Sequence, residues 1–219
     1  LITIDDSYRS VIDTAAPMLK AAGLPAVLFL NPEPVLETRV PLDNVLSLAV
    51  DELTLGPVAE MVAPGRGCRS VAGLVTGPIA GLGPLARLQL KDRLLSALGL
   101  DEADLHRESG LYLSASEVGA LCARGIEIAN HTRSHVHCRA VATDAELSAE
   151  ITGAKLAIEV MTGAPVRAFS FPYGNEADAT HKALKIIRKS GHRAIFLVHA
   201  RSNRKRPAPD MWYRTSLTD

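Results

Sequence analysis

Two histidines four residues apart, His131 and His135, follow an apolar run, Gly125-Ile126-Glu127-Ile128-Ala129, that reads as a strand. One helical turn or a compact loop puts both imidazoles on the same side, which makes them a workable metal-binding pair. Histidines this close also fall together in loops by chance, so the pair needs company. Near the other end of the chain, Asp5 and Asp6 close the apolar run Leu1-Ile2-Thr3-Ile4. Adjacent carboxylates at a strand end are costly unless something positive lies beside them. Either Asp6 caps the following helix and Asp5 bonds to backbone, or one carboxylate joins a metal while the other stays free as a base. Two histidines and one aspartate supply three ligands and leave positions open for water and substrate, the pattern of a hydrolytic site. A third polar strand end is Pro172-Tyr173-Gly174, after Phe169-Ser170-Phe171.

These groups work together only if their strands lie side by side, because in α/β folds the chemistry sits at the carboxyl ends of the strands. The sequence predicts a strand at Leu1–Ile4, a helix from about Ser10 to Ala22 stopped by Gly23, and a strand at Ala26–Leu30 between Pro25 and Pro32. That is the size of a βαβ unit with parallel pairing. Residues 32–110 read as an insertion of helices and loops beside the sheet, with helical patches at about 44–62 and 84–98 around a stretch rich in Gly and Pro. Ser114 with Glu117 reads as a capping box opening a helix to Ala123, and Gly125 ends it. Thr143-Asp144 starts a long amphipathic helix whose apolar face is read as Leu147, Ile151, Leu156 and Val160, with Gly163 as the stop. A basic helix over about 178–190, a strand at Ala194–Val198, a basic loop at Arg201–Arg206 and a last strand at Trp212–Leu217 complete the pattern. Alternating strands and helices argue for an α/β barrel or a doubly wound sheet.

Composition narrows the partners. The chain has 219 residues, 47% hydrophobic and 22% charged, with zero formal net charge. That suits one sizeable domain and gives no electrostatic support for nucleic acid or an anionic membrane surface. No apolar run is long enough to span a membrane. The three cysteines, Cys68, Cys122 and Cys138, follow no disulfide or metal spacing. A strand that begins at the first residue suggests sequence missing before Leu1; a signal there would make the protein extracellular or envelope-bound, and otherwise it is cytoplasmic.

Ile2-Thr3-Ile4-Asp5-Asp6-Ser7-Tyr8 resembles the first motif of the polysaccharide deacetylases, the NodB-homology or carbohydrate esterase 4 family, written T-F-D-D-G. His131-Thr132-Arg133-Ser134-His135 is similar to the second motif. Phe169-Ser170-Phe171-Pro172-Tyr173-Gly174 resembles the third, most closely the F-x-[YF]-P-Y-G version of the poly-N-acetylglucosamine deacetylase branch. The resemblance implies a distorted (β/α) barrel of about seven strands, a single catalytic domain over 1–219, and a divalent metal ion, most often Zn²⁺. It implies that Asp6, His131 and His135 hold the metal and that Asp5 is the general base. Pro172 and Tyr173 would contact substrate, and the Tyr173 backbone N–H would help stabilise the oxyanion.

The chain departs from the family in three places. Ser7 replaces the usual glycine, Ser170 stands where an arginine often orients the base, and the late histidine acid has no clear match. Arg214 resembles an arginine near the end of some members and is the candidate to serve in place of the arginine missing at Ser170. His199, at the end of a strand, is the best candidate for the acid. His137 reads as a surface residue or a support behind the ligands. The leading expectation is a metal-dependent deacetylase acting on an N-acetylated sugar or glycan. The alternatives are a related amidohydrolase acting on a small-molecule amide and an inactive carbohydrate-binding relative, against which intact Asp5, Asp6, His131 and His135 count.

Overall fold

The computed structural model describes residues 1–199, 201–206 and 208–216. Two compact units emerge, one from residues 1–37 with 111–219 and the other from residues 38–110. The first holds six strands: β1 (Ile2–Asp5), β2 (Ala26–Leu30), β3 (Glu127–Asn130), β4 (Ala168–Ser170), β5 (Ala194–Val198) and β6 (Met211–Arg214). They pair in sequence order, every pair parallel, in a sheet curled into a half-barrel. The order and curl agree with the distorted (β/α) barrel that the resemblance implies, with six strands among the described residues where about seven are expected. Leu217, expected in the last strand, lies outside the described residues.

Parallel pairing aligns all the carboxyl ends at one rim, and alternation along each strand sorts side chains to two faces. Outward residues such as Leu28, Ile128, Phe169, Ile195 and Leu197 are fully covered, packing in two clusters with helices such as Ala115–Ala123 and His181–Lys189. The concave face carries Val27, Phe29, Ala129, Ala168, Ala194 and Phe196. β1 and β6 are the two edges of the sheet. At β6 the edge is capped by a side chain: Asn203 Nδ2 donates to the Tyr213 carbonyl (2.8 Å) and Tyr213 N–H donates to Asn203 Oδ1 (2.7 Å). An amide placed this way satisfies one backbone pair that a neighbouring strand would otherwise claim.

The expected capping box forms at Ser114 with Glu117, and the helix expected to start at Thr143-Asp144 carries a second one, Thr143 with Glu146. The apolar face of the second helical stretch is corrected. Leu147 and Ile151 are buried, but Ala154 and Ile158 continue the face, while Leu156 and Val160 are 56% and 86% exposed. From Ile151 a step of five residues turns about 140° away from the starting face, whereas steps of three and four stay on it. Between Asp144–Ser148 and Ala154–Thr162 the helix widens into a π turn, Ala149–Gly153.

The unit 38–110 is helical, with Leu42–Leu53, Leu55–Val62, Val71–Thr76, Pro84–Leu98 and Glu102–Ser109. Its start at Thr38 moves the expected insertion boundary, because Pro32–Leu36 forms a helix that belongs with the sheet.

Candidate metal centre and active site

Asp5 ends β1 and Asp6 takes the next position with φ 69°, a left-handed conformation that aspartate tolerates better than most residues. It does not cap the following helical turn, whose N-cap is Ser10. His131 follows β3 directly, and Thr132 and His135 are also left-handed, at 65° and 55°. These turns bring Asp6, His131 and His135 together: each offers a ligand atom within 4.8 Å of the others. His135 Nε2 lies 3.5 Å from Asp6 Oδ1. A tetrahedral ion bound at roughly 2.1 Å spaces its ligands by about 3.4 Å, so the nitrogen and oxygen donors fit a divalent ion.

The loop carrying the histidines is held from below. His131 Nδ1 donates to the Ser170 carbonyl (2.8 Å), which fixes the tautomer and leaves the Nε2 lone pair for the site. Asn31 Nδ2 donates to the carbonyls of His131 and Thr132. Glu150, in the π turn, accepts N–H bonds from Arg133 and Ser134 (3.0 Å each) and the Ser134 hydroxyl (2.7 Å). Burial pushes the Glu150 carboxyl up, against those bonds. Asn130 accepts from Thr132 N–H (3.0 Å) and donates to the Ile151 carbonyl (2.8 Å). Spacing alone gives no sign of Asn31 or Asn130.

Arg214 reaches Asp5 from β6. Its Nη1 donates to Asp5 Oδ1 (2.6 Å) and to Thr3 Oγ1 (3.2 Å), while Nη2 meets Asp5 Oδ2 and Ser170 Oγ (2.7 Å). The fork thus crosses between the two edge strands and grips the carboxylate with both arms. The missing arginine of the third motif has a physical counterpart: Ser170 receives the guanidinium that Arg214 sends across. Burial raises the Asp5 carboxyl, but His131 and Arg214 outweigh it and hold it below the usual range. Burial lowers His131, with Asp5 opposing. His131 Nε2 and Asp5 Oδ2 are 3.6 Å apart. Ser7, the other departure, is buried with its hydroxyl donating to the Asn31 carbonyl (2.7 Å) and accepting from Asn31 N–H (3.1 Å). It ties the end of β1 to the residue that holds the histidine loop.

After β4, Pro172 is buried, Tyr173 is left-handed at φ 61° and Gly174 at 65°. A Cβ on Gly174 would lie 2.4 Å from Val198 Cβ, so only glycine fits there. The Tyr173 ring lies 4.6 Å from that of His135. His137, expected at the surface or in support, is buried. His199 stands elsewhere: its ring packs edge-on against Tyr213 at 5.5 Å, with Nε2 3.9 Å from Glu176. Tyr213 belongs to the helix-side core, so this contact puts His199 away from the concave face that holds Asp5. A cavity of about 1010 Å³ opens beside Asp5 and Asp6, walled by Ala194, Phe196, Val198, Trp212 and Arg214.

Residues 90–196 match the family model described as polysaccharide deacetylase, a span that includes His131, His135 and Tyr173. The fold is similar to the BpsB deacetylase domain from Bordetella bronchiseptica, at 14% identity and a TM-score of 0.56, over 97% of this chain and 69% of that one. It is also similar to IcaB from Ammonifex degensii, at 17% identity and a TM-score of 0.55, over 100% and 67%. Against the Streptococcus pyogenes deacetylase PplD the identity is 14% and the TM-score 0.49; 89% of this chain spans 54% of that one. No curated protein matches the chain.

Proposed function

We propose that this chain, whose residues 90–196 match the polysaccharide deacetylase model, is a metal-dependent hydrolase removing N-acetyl groups from an amino sugar or glycan. The convergence of Asp6, His131 and His135 within 4.8 Å, next to an Asp5 held by Arg214, carries the reading. We read residues 1–219 as one catalytic domain with 38–110 inserted. Asp6, His131 and His135 would hold the ion, with Zn²⁺ suited to a set of two nitrogens and one oxygen. A divalent ion in that position supplies a water of lowered pKa and polarises the amide carbonyl.

The rest falls to the protein's own groups. Asp5, kept ionised by the Arg214 guanidinium, accepts the proton of the attacking water at its carboxylate. Arg214 and Ser170 fix the plane of that carboxylate. The Tyr173 backbone N–H donates to the oxygen that becomes negative as the carbonyl carbon turns tetrahedral, and Pro172 shapes the wall beside it. His199 would protonate the leaving amine only with its ring turned from Tyr213 and Glu176; a His199→Ala variant with unchanged kcat removes it from the scheme.

The cavity beside Asp5 favours a second reading, hydrolysis of a small amide with an apolar substituent lying against Phe196, Val198 and Trp212. Acetate release from N-acetylglucosamine oligomers, measured against a panel of small amides, separates the two. The first reading expects release from the oligomers. Activity only on small amides selects the second, and a metal-loaded protein inert on every substrate defeats both in favour of a silent carbohydrate binder.

A further inference from the structure

Tyr173 has φ 61° and ψ −6°, and it precedes a glycine that is also left-handed. That conformation is strained for a tyrosine, which keeps it only where neighbours enforce it. The neighbour with the closest parallel fit is His137, whose imidazole lies over the phenol ring at 4.0 Å with 12° between planes. His137 Nδ1 donates to Asp178 Oδ2 (2.8 Å), and Asp178 Oδ1 accepts Arg139 N–H (3.1 Å), which fixes the imidazole plane. Asp178 is fully buried and His137 is 3% exposed. His137 Nε2 is buried without a hydrogen-bond partner among the described residues. An orphaned nitrogen is a cost that a carbocyclic ring would avoid, so hydrogen-bonding capacity at Nε2 is not what the position uses.

We propose that His137 is a positioning residue: its ring face, locked by Asp178, holds Tyr173 in the left-handed turn that sets the direction of the Tyr173 N–H. This rests on the reading in which that N–H stabilises the oxyanion. A group that acts only on the transition state affects kcat and leaves KM and the metal in place. The alternative is purely structural, with His137 present to pair the buried Asp178 carboxylate.

Two variants separate these roles. His137→Asn keeps a donor for Asp178 and loses the ring; His137→Phe in an Asp178→Asn background keeps the ring and leaves no buried charge unpaired. With metal-loaded protein and N-acetylglucosamine oligomers, His137→Asn should lose about tenfold to a hundredfold in kcat, short of complete removal of an oxyanion donor, with KM and metal content unchanged. The Phe/Asn double variant should recover most of that kcat. In parallel, the backbone amide resonance of Tyr173 should move in His137→Asn and return in the double variant, a readout that needs no turnover. Full kcat with an unmoved amide in His137→Asn overturns the proposal, as does a double variant as impaired as His137→Asn. If wild-type protein releases no acetate, the reaction assignment fails, and the amide resonances still decide whether His137 positions Tyr173.

Discussion

Charged groups are withdrawn from solvent in both compact units, and the two units treat them in opposite ways. In the helical unit Lys91 and Arg87 are only 5% and 4% exposed. Lys91 pairs with Glu102 and donates to the Val40 carbonyl (3.1 Å), while Glu102 also takes Arg39 (3.0 Å) and Val40 N–H (2.9 Å). Arg87 faces Asp43 at 3.5 Å. Charge there is matched by charge. At the rim of the sheet, two carboxylates and two imidazoles converge with one guanidinium, and Arg214 spends both arms on Asp5. His131 is oriented from behind by the Ser170 carbonyl, and Asp6, His131 and His135 bring ligand-type atoms within 4.8 Å of one another. Matched pairs hold a fold, whereas imidazoles and carboxylates gathered at a strand rim are the kind of cluster that the proposed function uses to hold an ion.

The largest effect tests the base. Asp5→Asn keeps a similar shape and should lower kcat by about 10³-fold or more, since removing a general base typically costs 10²–10⁴. Turnover near the wild-type level would take Asp5 out of the chemistry. The second test addresses the other half of the contrast. Lys91→Met should lower unfolding free energy by roughly 1.5–3 kcal/mol, the cost of losing hydrogen bonds from a buried charged group while Glu102 keeps Arg39 and Val40 N–H, with metal binding unchanged. A loss of metal in that variant would erase the division of labour.

A smaller effect concerns the support beneath the histidine loop. His192 is buried, and Asn130 Nδ2 lies 3.2 Å from its Nε2. Asn130 Nδ2 is a donor, so Nε2 accepts and Nδ1 carries the proton toward Ser190 Oγ (2.8 Å). Burial lowers its pKa from 6.5 to about 4. The folded state thus disfavours the charged ring. The contribution is intact above pH 6.5 and lost as pH falls toward 4, worth at most about 3 kcal/mol. Denaturation of wild type and His192→Gln at pH 7.5 and 4.5 should show a smaller acid loss in the variant. Equal losses would mean that His192 is not the titrating group.

Much of the frame was legible because its signals are local. The strands at Ala26–Leu30 and Ala194–Val198 and the caps at Ser114 and Thr143 follow from short apolar runs and three-residue spacings. The meeting of Asp6, His131 and His135 was legible from two strand-end motifs, the first two of three in order. The misplaced helix face at Leu156 and Val160 came from following apolar residues across a five-residue step. Ser7 and Ser170 looked like defects in the motifs because their partners are remote: Ser7 bonds Asn31, and Ser170 meets an arginine 44 residues away. The grip of Arg214 on Asp5 joins residues 209 apart and exists only once the sheet curls its edges toward each other. Periodicity carries no information about such a contact.

Metal content tests the central claim most directly. Purified wild type should hold one equivalent of a divalent ion, Asp5→Asn should hold the same, and Asp6→Ala and His135→Ala should hold none. Retention of the ion by both ligand variants, or its loss from Asp5→Asn alone, would contradict the division between Asp6 as ligand and Asp5 as base.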